Sequence, residues 1–558
     1  MTCEHCAVSI EKLLKNKEHI IDAKINWKEG KGEIKFNPDK INQDDISDII
    51  SSTKNYRVKS ISYNNTIILT KKNLKAIMTC CNIDTTHFDL IIIGGGSAAF
   101  AAAIKANELG LKTLMVNDGL PIGGTCVNVG CLPSKNLIHA AKSVYHASHS
   151  NFNGIKPNGA AVDFKKIIQQ KKELVKIMQQ KKYLDVVKDF ETLKIIEGRA
   201  EFLDEKTILV NKKDEYTADK FLIATGATTN IPNIQGLNEV GYLTHLSLFD
   251  LEEKPESLTI MGAGYIGLEI AMAYNRFGIK IRIIEFTDRA IRTQTPDISA
   301  EIEMHMKNEG IEFYPNYRID KVEKDGSAII IKGKDVKTGK EFQFTERGKI
   351  VVATGTKPNT ANLGLEKLGI AMLKSGHIIV NEFMQTSVKH IFAAGDCNQN
   401  PPYVYTAAYE GNLAVQNMVA CCDAEWKAAD YSSLPWVIFT DPQIAGVGMD
   451  ETEAEKKNIP FEVRKINLSD VPRYAAALDT RGFIKLIRNP ETDKFLGARI
   501  IAPDAGEMIM EASLAIKFGI TVSELKNSFH PYLTASEGIK LAAIAFEKDV
   551  ATLSCCAV

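Results

Sequence analysis

Two pairs of cysteines, far apart in the chain, have the residue type and spacing for thiol chemistry. Cys126 and Cys131 lie in the segment GGTCVNVGCLPSK (123–135), and Cys555 and Cys556 are adjacent in the C-terminal segment SCCAV. Adjacent residues have Cα atoms about 3.8 Å apart, below the roughly 4.4–6.8 Å of ordinary disulfides. The second pair would therefore form a strained disulfide, and it is better suited to hold a soft metal ion between two thiolates. We expect a redox-active disulfide at Cys126 and Cys131 and a tail that brings a soft metal to it.

The composition excludes several functional classes. With 558 residues, 45% hydrophobic and 25% charged, the chain is an ordinary globular protein of several domains. Its net charge of −1 gives no reason to expect nucleic acid or an anionic membrane as partner. The N-terminus has no signal-peptide pattern, so we expect a cytoplasmic protein. Eleven cysteines in a reducing compartment indicate catalysis or metal binding rather than structural disulfides.

Residues 1–63 are predicted to form a small ferredoxin-like α/β module without its first strand. Its elements are a helix at 7–17, strands at 23–27 and 32–36, a helix at 44–52 and a strand at 56–63. The opening segment MTCEHC places Cys3 and Cys6 on a loop before the first helix, where two thiolates suit a soft ion. The alternative is that these cysteines are incidental. A polar linker is expected at 64–86.

Two glycine-rich turns predict two bound dinucleotides. They are Gly94-x-Gly96-x-x-Ala99 and Gly262-x-Gly264-x-x-Gly267. Each follows an apolar strand and opens a helix, so that phosphate can lie at the helix N-terminus against bare backbone. One such turn could be an ordinary tight connection. Two of them, about 170 residues apart in the correct context, favour dinucleotide binding.

The full motif set resembles the flavoprotein disulfide reductases, the family of glutathione reductase and dihydrolipoamide dehydrogenase. The motifs are GxGxxA (94–99), GGTCVNVGCLPSK (123–135), ATG (224–226), GAGYIGLE (262–269), ATGTKPN (353–359) and AAGDC (393–397). The resemblance covers residues 88–558. Within the family the chain is most similar to the mercuric reductases, because of its Cys-Cys tail.

The resemblance implies a fold of two doubly wound, Rossmann-like domains followed by an α+β dimerisation domain. The expected boundaries are 88–230 with 356–430 for the FAD-binding domain, 231–355 for the NAD(P)H-binding domain, 431–546 for the dimerisation domain and 547–558 for the tail. Strands that alternate with helices from Phe88 onward agree with this fold class.

The resemblance also assigns roles around the first thiol pair. It implies that Cys131 is the charge-transfer thiolate nearest the flavin and that Cys126 is the more exposed interchange thiol. Lys135 would lie by the flavin N5 and pair with Glu269, and Tyr265 would gate the nicotinamide pocket. Further FAD contacts are implied at Gly124, Thr125, Thr225, Gly226 and Asp396.

The second glycine-rich unit contains opposing signals for coenzyme choice. Its strand IRIIEF ends in Glu285, the residue type that binds the free 2′-hydroxyl of NADH. Arg289 and Arg292 follow closely and could bind a 2′-phosphate instead. We favour NADPH, the usual coenzyme of mercuric reductases, with NADH as a possible second. In the first glycine-rich unit, the second strand ends in Asn117, at the position where an acidic residue usually binds the adenosine ribose.

The segment HPYLTASEG (530–538) distinguishes a metal substrate from the disulfide substrates of thiol-directed relatives. Thiol-directed relatives place a glutamate five residues after the histidine, whereas here Ala535 follows His530 at that distance. We therefore expect His530 to lack an orienting carboxylate and to be a poor general base. Tyr532 and Tyr183 match two tyrosines that line the metal site of mercuric reductases; the alternative for both is interface packing.

The predicted function is NAD(P)H-dependent reduction of Hg(II), held as thiol complexes, to elemental mercury, which would give mercury resistance. In the expected homodimer, Cys555 and Cys556 of the partner subunit hand Hg(II) to Cys126 and Cys131, where electrons arrive through FAD. The alternatives are a dihydrolipoamide dehydrogenase-like disulfide reductase and a soft-metal chaperone. Cys80, Cys81, Cys421 and Cys422 have no motif context and are interpreted as incidental.

Overall fold

The computed structural model describes residues 11–15, 17, 20–26, 31–36, 40–41, 45–46, 49–50, 86–420 and 422–550. The chain forms two compact units, Met1–His87 and Phe88–Val558. No helix among the described residues is both long and apolar enough to span a bilayer.

The smaller unit contains the antiparallel strands β1 (Ile20–Asn26) and β2 (Lys31–Phe36), as the sequence predicted, and has helical residues at 11–15, 45–46 and 49–50. Strand β1 begins at Ile20 rather than at Ala23. Ala23 and Ile34 are fully buried and start a small apolar core. The predicted strand at 56–63 and the linker as far as residue 85 lie outside the described residues.

The larger unit begins with strands and helices that alternate. The strands are β3 (His87–Ile93), β4 (Thr113–Asn117), β5 (Leu193–Glu197), β6 (Ala200–Asp204), β7 (Thr207–Val210), β8 (Asp214–Ile223) and β9 (Ala227–Thr229). The helices are α1 (Ser97–Glu108), α2 (Gly124–Asn128), α3 (Cys131–Ser148), α4 (Phe164–Gln179) and α5 (Asp185–Val187), with a π-helical turn at Gln180–Leu184.

The next segment contains a second alternating set. Its helices are α6 (Leu237–Val240), α7 (His245–Leu248), α8 (Tyr265–Arg276) and α9 (Pro296–Asn308). Its strands are β10 (Ser257–Met261), β11 (Lys280–Ile284), β12 (Glu312–Tyr314), β13 (Tyr317–Asp325), β14 (Ala328–Asp335), β15 (Glu341–Glu346) and β16 (Lys349–Val352).

The remaining elements complete the first sheet and build a third. They are β17 (Thr356–Pro358), β18 (Ile391–Ala393), α10 (Val404–Val419), β19 (Trp436–Ile438), β20 (Gln443–Gly448), α11 (Glu451–Lys456), β21 (Glu462–Asn467), α12 (Pro472–Ala476), β22 (Phe483–Arg488), β23 (Phe495–Ala502), α13 (Ala505–Lys517), α14 (Val522–Asn527) and α15 (Glu537–Ile544). Short 3₁₀ turns lie at Leu365–Leu368, Asp423–Glu425 and Leu468–Asp470.

The first sheet has the strand order β5-β4-β3-β8-β7-β6, and β18 pairs in parallel with β8. Strands β3, β4 and β5 are also parallel. The turns that follow parallel strands meet at the carboxyl edge of a sheet, where open α/β folds bind ligands. Gly94, Asn117, Thr225 and Asp396 lie at the ends of β3, β4, β8 and β18 and are thereby brought to one edge.

The second sheet is parallel, with the order β12-β11-β10-β16, and Gly262 and Glu285 directly follow β10 and β11. A separate antiparallel sheet, β13-β14-β15, packs beside it. The first sheet is mixed, because β6, β7 and β8 pair antiparallel, and the second is parallel. Both agree with the predicted pair of doubly wound domains.

The third large sheet is antiparallel, with the order β19-β20-β23-β22-β21. Helices α13 and α15 pack against it around a core that includes Ile500, Ile509 and Ile539. This arrangement is the α+β C-terminal domain that the sequence predicted.

Candidate active site

The two thiols of the Cys-x4-Cys motif lie on consecutive helices. Cys126 is in α2, and Cys131 is the first residue of α3, with Gly130 as N-cap. Both are free thiols; within the single chain Cys131 is exposed and Cys126 is half-buried. Cys131 is exposed because a side chain at the first helical position leans beyond the helix end, so no preceding turn covers it. The assignment of Cys126 as the more exposed interchange thiol concerns the site with flavin bound and stays a prediction.

The hydrogen bond between the thiols shifts their pKa values in opposite directions. The Cys126 thiol donates this bond to Cys131, which lowers the pKa of Cys131 to about 7 and raises that of Cys126 above its usual value. The positive charge of Lys135 also lowers the pKa of Cys131, and a helix N-terminus favours a thiolate. Near neutral pH the pair can therefore hold a thiolate at Cys131 and a thiol at Cys126.

Lys135 and Glu269 form the ion pair that the sequence predicted. Lys135 Nζ lies 2.8 Å from Glu269 Oε2 and joins α3 to α8. The other oxygen, Glu269 Oε1, accepts a hydrogen bond of 2.9 Å from the backbone N–H of Phe439. The Lys135 ammonium lies 4.4 Å from the centre of the Phe439 ring. Sequence reasoning missed Phe439, because nothing in the segment FTDPQ marks its contact with α3.

Tyr183 lies beside the thiol pair, as predicted. It belongs to the π-helical turn, a feature that is frequent at functional sites. Its ring packs edge-on against Phe100, with the centroids 5.0 Å apart, and its hydroxyl is bonded to the side chain of Ser97. Burial raises the pKa of Tyr183, and the charges of Cys126 and Cys131 raise it further.

A second tyrosine, Tyr405, also lies near Cys131, and sequence reasoning missed it. Its hydroxyl donates a hydrogen bond to the carbonyl oxygen of Pro435. Burial raises the pKa of Tyr405 to about 12, with a contribution from the charge of Cys131. The available signal was its place at the start of α10, a few residues after the AAGDC motif.

Tyr265 is the first residue of α8 and lies one turn before Glu269. Its ring stacks on Trp436 of the C-terminal sheet, with the centroids 5.9 Å apart and the planes 23° from parallel. Tyr265 therefore lies where the second dinucleotide turn meets the Lys135–Glu269 pair.

The two glycine-rich turns pack their backbone closely against a neighbouring loop. A Cβ atom at Gly94, where φ is +131°, would lie 2.1 Å from the carbonyl oxygen of Ala224; one at Gly262, where φ is +103°, would lie 2.5 Å from that of Ala353. Both positions therefore require glycine. Gly96 and Gly264 are the N-caps of α1 and α8, and Gly124 packs against Gly96.

The end of β11 carries the predicted coenzyme residues. Glu285 Oε2 accepts a hydrogen bond of 2.7 Å from Ala263 N–H, and Oε1 accepts bonds of 2.7 and 2.8 Å from the backbone and hydroxyl of Thr287. Arg289 and Arg292 flank Asp288, at 3.2 and 3.0 Å. The structure thus brings a carboxylate and two arginines together just after the end of β11.

Comparison with known proteins identifies the family. Residues 88–411 match the pyridine nucleotide-disulphide oxidoreductase family, and residues 434–543 match its dimerisation domain. The chain belongs to this family. Residues 1–57 match the heavy-metal-associated domain.

Named relatives in the family include mercuric reductases of different length. That of Staphylococcus aureus is 40% identical over 470 residues, covering 84% of this chain and 84% of the relative. That of Lysinibacillus sphaericus is 37% identical over 558 residues, covering 100% of this chain and 98% of the relative. These matches confirm the resemblance to mercuric reductases.

A solved structure from the family has a similar fold. It is the Cu(II) complex of the HOCl-induced flavoprotein disulfide reductase RclA from Escherichia coli, with a TM-score of 0.72 and 26% identity. The match covers 81% of this chain and 98% of that structure's chain.

Family membership implies FAD and a pyridine nucleotide, and the first dinucleotide site fits FAD. Thr225 Oγ1 and Thr406 Oγ1 are buried, and neither has a hydrogen-bond partner among the described residues. Burial and the nearby charge of Glu410 raise the pKa of Asp396. Buried hydroxyls without partners next to a carboxyl group suit the polar ribityl and pyrophosphate parts of FAD.

The family's histidine segment differs from our expectation. His530 Nε2 lies 2.6 Å from Glu511 Oε1, and Nδ1 lies 3.2 Å from the carbonyl oxygen of Ser528. The prediction that His530 lacks an orienting carboxylate is therefore wrong. Its partner is on α13, so the five-residue spacing that we inspected could not reveal it. Tyr532 is 51% exposed in the loop between α14 and α15.

Several cysteines lie outside the described residues. They are the predicted metal ligands Cys3, Cys6, Cys555 and Cys556, and also Cys80, Cys81 and Cys421, which we interpreted as incidental. The roles of the four ligands remain predictions from the sequence.

Proposed function

We propose that this chain reduces Hg(II) to elemental mercury at the expense of NADPH. The balanced reaction consumes one Hg(II) and one NADPH and releases Hg(0), NADP⁺ and one proton. The observation that carries the proposal is the thiol pair at the N-terminus of α3, with a low pKa at Cys131 and tyrosines nearby. Relatives along the full length of the chain are named mercuric reductases.

The chain's thiols bind the metal ion in this proposal. Cys131 is available as a thiolate, and Cys126 gives up its proton when Hg(II) replaces the hydrogen bond between the two sulfurs. Tyr183 lies near both sulfurs, and Tyr405 lies near Cys131, close enough for the charge of the cysteines to raise the pKa of each tyrosine. Two sulfurs supply the low coordination number that suits a soft ion.

FAD, when bound, accepts hydride from the coenzyme and supplies two electrons at the thiol site. The residues proposed to hold it are Gly94, Gly96, Ala99, Gly124, Thr125, Thr225, Gly226 and Asp396. Lys135, fixed by Glu269, places a positive charge beside Cys131.

A homodimer would complete the site. Met510 and Leu514 on α13 and Phe518 at its C-cap are spaced by four residues and are 47%, 47% and 70% exposed. Phe529 is fully exposed nearby in sequence. Such an apolar face suits burial against a second copy. In that dimer Tyr532, Cys555 and Cys556 of the partner subunit would reach Cys126 and Cys131.

We propose that NADPH is preferred and that NADH is used less well. Both oxygens of Glu285 already accept hydrogen bonds from the protein, which offsets part of its repulsion of a 2′-phosphate. The Arg289 Nε atom is buried and has no hydrogen-bond partner among the described residues. Gly262, Gly264 and Gly267 would receive the pyrophosphate, and Tyr265 would cover the nicotinamide.

The N-terminal unit would bind Hg(II) through Cys3 and Cys6. The support is its match to the heavy-metal-associated domain and the Cys-x-x-Cys spacing of the sequence. We place the enzyme in the cytoplasm, where reduced thiols carry the ion.

Coenzyme consumption tests the proposed function. NADPH oxidation by the holoenzyme should require HgCl₂ in the presence of excess thiol, and Cys126→Ser should abolish this dependence. A metal chaperone would bind Hg(II) stoichiometrically without turnover. A dihydrolipoamide dehydrogenase-like enzyme would instead oxidise coenzyme with lipoamide.

A further inference from the structure

Two separate contacts hold Tyr265, one made by the C-terminal domain and one by Gln294 of its own domain. The first is the stack on Trp436, the opening residue of β19, which is 9% exposed. The second is a hydrogen bond of 3.3 Å that Gln294 Nε2 donates to Tyr265 Oη. The ring is therefore held at its face and at its hydroxyl.

Gln294 is itself fixed by a residue of the C-terminal sheet. Its Oε1 atom accepts a hydrogen bond of 3.2 Å from Nε of Arg499, and its side chain is largely buried, with 8% exposed. A glutamine with both ends of its amide engaged has little freedom to rotate. The orientation of Gln294 therefore depends on Arg499.

Arg499 is a buried residue with several hydrogen bonds that supports both contacts. It is 3% exposed, and it donates hydrogen bonds of 3.0 and 2.9 Å to the carbonyl oxygens of Val447 and Ala498. Its guanidinium also lies 5.7 Å from the centre of the Trp436 ring. Arg499 thus supports Tyr265 by two routes, through Gln294 and through Trp436.

We propose that Trp436 and Gln294 form a latch that holds Tyr265 in the closed position over the coenzyme pocket. This inference rests on the proposed role of Tyr265 as the gate of that pocket. The coenzyme must break the aromatic stack and the hydrogen bond before the nicotinamide can enter. Only molecules with the gate open can bind the coenzyme, so the apparent Kd equals the intrinsic Kd divided by the fraction of open molecules. The latch lowers that fraction and therefore weakens coenzyme binding. Trp436 and Gln294 are positioning residues, because they act through Tyr265.

Coenzyme affinity tests the latch without any turnover. Gln294→Met keeps the side-chain volume and removes the hydrogen bond to Tyr265, and Trp436→Leu removes the stack. Calorimetric titration of the oxidised holoenzyme with NADP⁺ should show a Kd that is about three- to tenfold lower in each variant. The kcat at saturating NADPH should remain unchanged while the KM falls. Trp436→Phe, which retains a ring, should restore most of the wild-type Kd.

A double-mutant cycle shows whether the effect passes through Tyr265. In the background of Tyr265→Phe, which lacks the hydroxyl, Gln294→Met should change the Kd for NADP⁺ no further. An equal change in both backgrounds would overturn the proposal, and so would an unchanged Kd in both Gln294→Met and Trp436→Leu. Retained flavin content confirms that each variant is folded.

Tryptophan emission gives an independent readout. NADP⁺ binding should alter the emission of Trp436 as the tyrosine ring leaves it, and Trp436→Phe should abolish the change. Trp426 is the matched control, since it packs on Phe383 at 5.2 Å in another domain; Trp426→Phe should preserve the change. The reverse pattern would contradict the latch. Loss of Hg(II)-dependent turnover with an intact latch would count against the proposed function alone.

Discussion

The thiol of Cys126 donates a hydrogen bond to the sulfur of Cys131, and this bond separates the acidities of two cysteines that lie only five positions apart. One member of the pair can therefore be an anion near neutral pH while the other keeps its proton. The separation gives the two sulfurs different parts in the proposed reaction, since the thiolate is the reactive form of a cysteine.

The first prediction concerns the optical signature of Cys131. The two-electron-reduced holoenzyme should show a long-wavelength absorbance band, and Cys131→Ser should abolish it. Because the pKa of Cys131 is lowered to about 7, the band should grow as the pH rises through that value and disappear below it. Spectrophotometric titration measures this directly.

Lys135→Met extends this prediction. The positive charge of Lys135 lowers the pKa of Cys131, so the Lys135→Met variant should show the absorbance band titrating at higher pH. Lys166→Met is the matched control, since this exposed lysine on α4 pairs with Asp163 instead. A band that titrates at the same pH in Lys135→Met would exclude this electrostatic role.

Removal of the tail should separate metal delivery from coenzyme chemistry. Truncation after Leu553 should lower Hg(II) turnover from bulky dithiol complexes by about tenfold or more, since a tethered thiol pair raises the local concentration of the ion. Stopped-flow measurement should find the reduction of the flavin by NADPH unchanged. Cys421→Ala with Cys422→Ala removes a different vicinal pair as a control. If truncation leaves Hg(II) kinetics intact, the tail has no part in delivery.

The N-terminal unit should be dispensable for catalysis. A chain that begins at Asn82 should keep its steady-state rate with ample external thiol, because residues 88–411 and 434–543 match the catalytic family without it. Equilibrium dialysis should show that the full chain binds an additional Hg(II) that Cys3→Ala with Cys6→Ala eliminates. A severe loss of rate in the shortened chain would place the unit in the active site.

Coenzyme choice should respond to charge at the end of β11. Glu285→Ala should raise the NADPH/NADH ratio of kcat/KM, because it removes a charge that repels the 2′-phosphate. Arg292→Ala should lower the ratio by about tenfold, the contribution of one charge-assisted bond at an exposed position. Arg318→Ala, an exposed arginine on β13 paired with Asp320, is the control. A wild type that strongly prefers NADH, with no response to Arg292→Ala, would refute the assignment.

Glu410 should control FAD retention. This fully buried carboxylate accepts hydrogen bonds from Gly395 N–H at 2.7 Å, Asn398 Nδ2 at 2.9 Å and the Tyr431 hydroxyl at 2.6 Å, next to Asp396. Glu410→Gln replaces one accepting carboxylate oxygen by an NH₂ group that faces these donors. The Kd for FAD should therefore rise about tenfold. Flavin fluorescence measures the released FAD. Tyr431→Phe removes one bond and should have a smaller effect; equal retention in all three proteins would contradict the role.

Sequence reasoning correctly predicted the structural features that follow from local motifs. The helix that starts at Cys131, the glycine turns at Gly94 and Gly262, and the pairing of Lys135 with Glu269 follow from motifs in fixed strand–helix contexts. These elements bring their side chains together through backbone geometry alone.

Contacts between distant elements could not be predicted in this way. Glu511 reaches His530 from another helix, and Trp436 reaches Tyr265 from another sheet. Neither contact has a spacing signal, because packing of separate elements determines it.

Elemental mercury in the gas phase tests the central claim most directly. Holoenzyme, NADPH, HgCl₂ and excess thiol should release one equivalent of mercury vapour for each NADPH oxidised, and Cys126→Ser and Cys131→Ser should release none. The account would be contradicted if the wild-type enzyme consumed NADPH while thiol-bound Hg(II) stayed in solution. Release of mercury vapour by both cysteine variants would contradict it as well.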